Sequence, residues 1–302
     1  MTQPIVETSS IEEPEALDSK ETLWRVRLGT GLLVSIWLVV FYQLSLVWTI
    51  NAQYSHGWLV PLLCLYLALK SSSSMEDPKV SPPRSSLVLW LWGGFSLLLV
   101  FPVWIIREAN SDWRFINVAL VGLAMLTTFA MLHHEGGWAK AKTLLFPVLF
   151  FFVAVPWPLA IDLQLTLWLQ AKVSSTIVDL LLLLGYHVEL SGHVIHVPPF
   201  GQVGVDEACS GIRGMQASIV VSLFLGHYYR FSILQRFIFC FIGLSLALLA
   251  NMSRAFVLAL NATRGKIELV EEWHDAAGLI ETACILVGLL VCSQLIKRND
   301  LS

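Results

Sequence analysis

Three side chains far apart in the chain could together carry out acyl transfer: the thiol of Cys209, the guanidinium of Arg254 and the imidazole of His274. A thiolate attacks a carbonyl carbon, a fixed cation holds the resulting oxyanion, and an imidazole returns a proton to the leaving amine. Cys209 lies in Asp206-Glu207-Ala208-Cys209-Ser210-Gly211-Ile212-Arg213-Gly214, where a polar loop runs into an apolar stretch. That position predicts a thiol in the first turn of a helix, where unpaired N–H groups and the positive dipole end favour the charged form. Arg213, four residues on, shares that helical face and adds positive field. Asp206 and Glu207 oppose thiolate formation unless an arginine pairs with them, so at least one is expected to meet a guanidinium. A buried, inert cysteine at a helix start is the structural alternative.

Arg254 interrupts an apolar run, and a guanidinium at mid-membrane costs about 2.5 to 3.5 kcal/mol on insertion scales, so it faces a polar cavity or snorkels to the interface. Asn251, three residues earlier on the same face, reads as part of a pocket wall. His274 stands between Trp273 and Asp275 at the expected entrance of the last apolar helix, where Asp275 also suits an N-cap. His187, His193 and His196 raise a zinc alternative with His274 or Asp275. Strand side chains three apart point to opposite faces, however, and no metal or cofactor is assigned.

These residues need a scaffold, and the composition says which kind. The 302 residues are 56% hydrophobic and 14% charged, with a mean hydropathy of +0.70, which excludes a soluble globular domain. Apolar runs near 28–49, 57–69, 86–106, 115–132, 143–160, 208–226, 235–260 and 276–296 predict an all-α polytopic membrane protein of about eight transmembrane helices. Residues 1–24 read as a disordered, acidic cytoplasmic tail and 25–298 as a single transmembrane domain. The stretch 161–184 mixes leucine with Asp162, Gln164, Gln170, Lys172 and Asp179 and is expected to be an amphipathic helix at the interface. Residues 186–205, rich in glycine and alternating valine and histidine, predict a short hairpin-like loop. The four cysteines other than Cys209 lie in apolar runs and read as packing residues. Lysines and arginines concentrate on one side if both termini are cytoplasmic, which puts 161–207 and the three candidate residues on the extracytoplasmic face.

At these positions the sequence resembles the exosortase/archaeosortase family of membrane cysteine transpeptidases. The resemblance rests on Glu207-Ala208-Cys209-Ser210-Gly211-Ile212-Arg213, on Asn251-Met252-Ser253-Arg254, on His274-Asp275 with Gly278, and on Tyr54-Ser55-His56-Gly57. It covers about 37–290. It implies Cys209 as nucleophile, Arg254 as transition-state stabiliser and His274 as acid–base residue, with Glu207, Arg213, Asn251, Asp275, His56 and Tyr54 as the supporting pocket. It also implies substrate proteins held in the bilayer of a bacterial inner membrane by a C-terminal tripartite sorting signal, namely a motif such as Pro-Glu-Pro, a transmembrane helix and a basic tail. The acceptor that the resemblance leads one to expect is an amine, a lipid or a glycan group. Gly214 stands where the family motif frequently has serine. Water as acceptor would make the chain a cysteine endopeptidase. A transporter, the reading from another class, requires ionisable residues in several further spans, and the first five are almost free of them.

Overall fold

The computed structural model describes residues 14–73, 87–110, 113–204 and 210–299. It is a helical bundle with one small sheet at an end. Helix α1 runs Pro14–Ile50, so residues 14–24 continue a helix where the sequence reading had a tail; Pro14 at the first position and a run of good helix formers account for this. A 3-10 segment, Ala52–Trp58, links it to α2 (Val60–Ser73). Then come α3 (Leu87–Ala109), α4 (Phe115–Thr143), α5 (Leu145–Phe150), a 3-10 turn Phe151–Ala154 and α6 (Leu159–Leu183). Strands β1 (Glu189–Ser191), β2 (Val194–Val197) and β3 (Gly201–Gly204) precede α7 (Ile212–Tyr228), α8 (Ile233–Thr263) and α9 (Ile267–Asn299).

The helical membrane class matches expectation. Among the described residues five segments are long and apolar enough to cross a bilayer: Gly29–Ile50, Phe115–Thr143, Leu159–Leu183, Ile233–Thr263 and Ala276–Arg298. The expected fifth span is the clearest departure. It is helical only over Leu145–Ala154, about 15 Å at 1.5 Å per residue. Val155 turns extended at φ −81°, ψ 126°, the conformation favoured before a proline, and Pro156 and Pro158 forbid continuation. The glycine pair also breaks α4, where Gly136 and Gly137 leave helical geometry.

The contacts sort the helix termini into two ends. At one, Lys70 lies over the Tyr228 ring, Lys297 over Tyr229 and Arg236 over Phe146, gathering the termini of α2, α5, α7, α8 and α9. This is the basic end. At the other, Trp48 Nε1 donates to Ala154 O at 2.8 Å and Gln53 Nε2 to Asp162 at 2.7 Å, while Arg114 pairs with Asp162. The sites discussed below lie toward this second end.

Helix α6 satisfies the length and composition of a span, yet both its termini meet that second end. Asp162 is held there by Gln53 and Arg114. Ile177 and Leu181 pack with Val188, Ile195 and Val197 of the sheet region against Ala255, Leu258, Ala259 and Ala262, in the last turns of α8. Helix α6 therefore runs across the bundle end and carries the sheet with it. The expected hairpin is a three-stranded antiparallel sheet in the order β1-β2-β3, with Leu190 opposite Ile195 and Ile195 opposite Val203. The alternation of β2 buries Ile195 and Val197 and leaves His196 partly exposed.

Candidate active site

The site is built where α7, α8 and α9 approach one another. Helix α7 starts at Ile212, with Gly211 before it in the left-handed region at φ 84°. A Cβ on Gly211 would also lie 2.9 Å from Asn251 Cγ and Nδ2, so glycine is required twice, by conformation and by space. Ser210 is fully buried, and its hydroxyl accepts from the Ile212 N–H at 3.3 Å. The described part of α7 begins at Ile212, so the expected placement of Cys209 in a first turn, and the helical face it would share with Arg213, rest on a residue outside those described. Cys209 itself, with Asp206 and Glu207, lies outside the described residues, as does the expected pairing of those acids.

Arg254 is nine-tenths buried, and its Nη1 donates to Glu281 Oε2 at 3.2 Å. Glu281 was not singled out by the sequence reading. Its carboxylate lies inside the last span, yet is only 7% exposed. The pair sits in a slot made by two glycines. A Cβ on Gly278 would touch Arg254 Cζ at 3.6 Å, and one on Gly214 would stand 3.0 Å from Glu281 Oε1. Thus α7 contributes Gly214, α8 Arg254 and α9 both Gly278 and Glu281. Asn251, buried three residues before Arg254, faces Gly211.

His274 and Asp275 are also displaced relative to expectation. Helix α9 starts at Ile267, so they lie within it and Asp275 is not its N-cap. Helix α9 thus extends ahead of the expected apolar run through Glu268-Leu269-Val270-Glu271-Glu272, because a helix outside the hydrocarbon needs no apolar run. His274 precedes Gly278 by four residues and Glu281 by seven, a spacing that keeps one helical face. This spacing, together with a carboxylate in an apolar run, is the signal by which Glu281 could have been found.

Beside the pair, a cavity of about 650 Å³ opens between α8 and α9, lined by Ala250, Ser253, Arg254, Trp273, Glu281 and Cys284. Exposed Trp273 and Ile280 mark its rim. Apart from the ion pair and Asn261 its walls are small or apolar, which suits an occupant with an apolar body and few polar points of attachment.

Two residues of the expected supporting pocket serve elsewhere. Tyr54 is buried, and its hydroxyl oxygen accepts from the Trp157 N–H at 3.1 Å; burial, with Asp162 beside it, pushes its pKa up. His56 Nδ1 is 3.2 Å from Gln53 O and Nε2 is 3.1 Å from Val153 O. Burial pulls its pKa below the usual histidine value even though both carbonyls favour the charged form. These residues clamp Ala52–Trp58 to the segment leading into α6. Arg213 is exposed. Among the described residues no group of three His, Cys, Asp or Glu side chains could hold a metal ion.

A family model described as transmembrane exosortase (Exosortase_EpsH) matches residues 48–291. The chain belongs to that family. No curated protein and no solved structure matches it. The exosortase match runs from Trp48, beneath the clamp, to Val291, beyond Glu281. It therefore takes in every element of the site, and its class is that of a multi-pass membrane protein acting in protein sorting.

Proposed function

We propose that this exosortase is a cysteine transpeptidase that cleaves C-terminal sorting signals of membrane-anchored proteins and passes the shortened protein to an acceptor. The Cys209 thiolate adds to the scissile carbonyl carbon, and Arg254 holds the oxyanion. The C–N bond then breaks, His274 protonates the departing amine, and a thioester remains. Deprotonated by His274, an amine, a lipid or a glycan group attacks that thioester and regenerates the thiolate.

The observation that carries this reading is the slot of Arg254 and Glu281. A guanidinium held by a buried carboxylate is pre-oriented, which is what oxyanion stabilisation demands. The slot is bounded by Gly214, five residues after Cys209, and by Gly278, four after His274. The cavity between α8 and α9 gives a membrane-anchored substrate a lateral approach. The gathering of Lys70, Arg236 and Lys297 at the opposite end supports cytoplasmic termini, with cleavage on the outer face of a bacterial inner membrane.

The test is processing of a tagged protein ending in a tripartite signal, co-expressed with the enzyme. Cys209→Ala and Cys209→Ser should abolish cleavage while the protein still inserts; cleavage at the wild-type rate in either would sink the assignment. Thiol trapping is run in a Cys284→Ala background, because Cys284 lines the same cavity. The mass of the new C-terminus separates transfer from hydrolysis: an added group supports transpeptidation, and a free acid means water is the acceptor.

A further inference from the structure

Far from the ion pair, a second cavity of about 550 Å³ lies along the seam of α1 and α3, lined by Leu38, Val39, Gln43, Val100, Phe101 and Trp104. Its rim is exposed, with Leu38 and Phe101 each 64% accessible, so the cavity opens sideways to the surroundings of the bundle. At that depth those surroundings are lipid.

Gln43 is the anomaly. It is fully buried, it lines this cavity, and neither its Nε2 nor its Oε1 has a hydrogen-bond partner. A primary amide in an apolar groove facing hydrocarbon costs several kcal/mol unless something satisfies it. One turn beyond Trp104, Arg107 reaches back so that its Nη2 donates to the Gln43 backbone carbonyl at 3.3 Å. Reading inward from the end of α3, the order is a cation, then an amide with both donor and acceptor, then Val39, Leu38 and Val100.

We propose that this groove is a binding site for one phospholipid of the bilayer. The polar-to-apolar order of the groove is the order of the ligand. The phosphate lies against Arg107, an ester carbonyl accepts from Gln43 Nε2, and an acyl chain fills the apolar part. Water meets the amide but leaves the groove unfilled, and a packed helix from a second protein fills the groove but offers few free backbone groups to the amide.

The experiment is titration of the purified, delipidated full-length protein with synthetic phosphatidylglycerol, phosphatidylethanolamine or phosphatidylcholine, read by native mass spectrometry. Wild type should bind one phospholipid saturably, with all three headgroups accepted because the contacts are to the phosphate and the ester. Gln43→Leu, which keeps the shape and removes only unpaired atoms, should fold normally and bind about tenfold more weakly, the scale of one or two lost hydrogen bonds. Val100→Phe, which fills the groove but leaves the amide, should block binding as well. Equal binding by wild type and Gln43→Leu, non-saturating uptake, or a mass showing a second copy of the chain in place of lipid would overturn the proposal.

Discussion

Removing one partner of the Arg254–Glu281 pair should cost far more than removing both. The side chains are 8% and 7% exposed, so solvent screens neither charge. Replacing Glu281 with Leu leaves a guanidinium buried between Gly214 and Gly278 with its carboxylate gone, and breaking a buried pair this way costs about 3 to 5 kcal/mol. Arg254→Met strands the carboxylate at a similar cost. The double variant leaves two apolar side chains of comparable volume in the slot, where such replacements are about neutral or stabilising. Independent sites would sum to about 6 to 10 kcal/mol, so a near-neutral double variant implies a coupling of several kcal/mol, well above the 0.3 to 0.5 kcal/mol scatter of unrelated sites. The assay is reversible unfolding of the four proteins in one detergent, with transfer activity measured in parallel. Activity should be absent in Arg254→Met and in the double variant, which separates stability from chemistry. If the double variant loses the sum of the two single losses, the ion pair is not the energetic unit described here.

Other perturbations follow from the same contacts. Arg254→Lys keeps the charge but loses the planar fork, so it should fold and lose activity by about 100-fold, read as the cleavage rate of the tagged substrate. Gly57→Ala drives a methyl into the Trp48 indole, displacing it from Ala154 O; unfolding should register a loss of about 2 to 4 kcal/mol. Burial holds the His56 pKa below normal in the fold, whereas in the unfolded chain it takes up a proton near pH 6.5. The unfolded state then binds more protons below that pH, so stability should fall as the pH drops from about 6.5 toward the folded value, and a His56→Gln variant should show a flatter profile.

The membrane class, the hairpin region and the polarity of Asn251 and Arg254 were all legible in the sequence, because each is written in local composition. What was not legible depends on tertiary contact. Apolarity cannot separate a helix from the short, proline-limited Leu145–Ala154 segment, since both bury the same side chains. Helix α7 starts after Gly211, which is left-handed and where a Cβ would meet Asn251 of α8. No pattern within residues 206–214 reports that neighbour. The partner of Arg254 lay 27 residues away in another helix, and only the rule that an intramembrane charge seeks an opposite one pointed to Glu281.

The uneven lengths of the helices bear on the membrane itself. The 22 residues of Gly29–Ile50 cover about 33 Å, while the 14 residues of α2 cover about 21 Å, against a hydrocarbon thickness of about 30 Å. Helix α2 turns Leu62, Leu65 and Leu69 outward, so it meets lipid directly. The leaflets must pinch toward it, at a cost that rises by fractions of a kcal/mol for each ångström of mismatch. Over its described residues that flank is shorter than the hydrocarbon is thick, so unfolding in bilayers of graded thickness should show the protein most stable in a thin one.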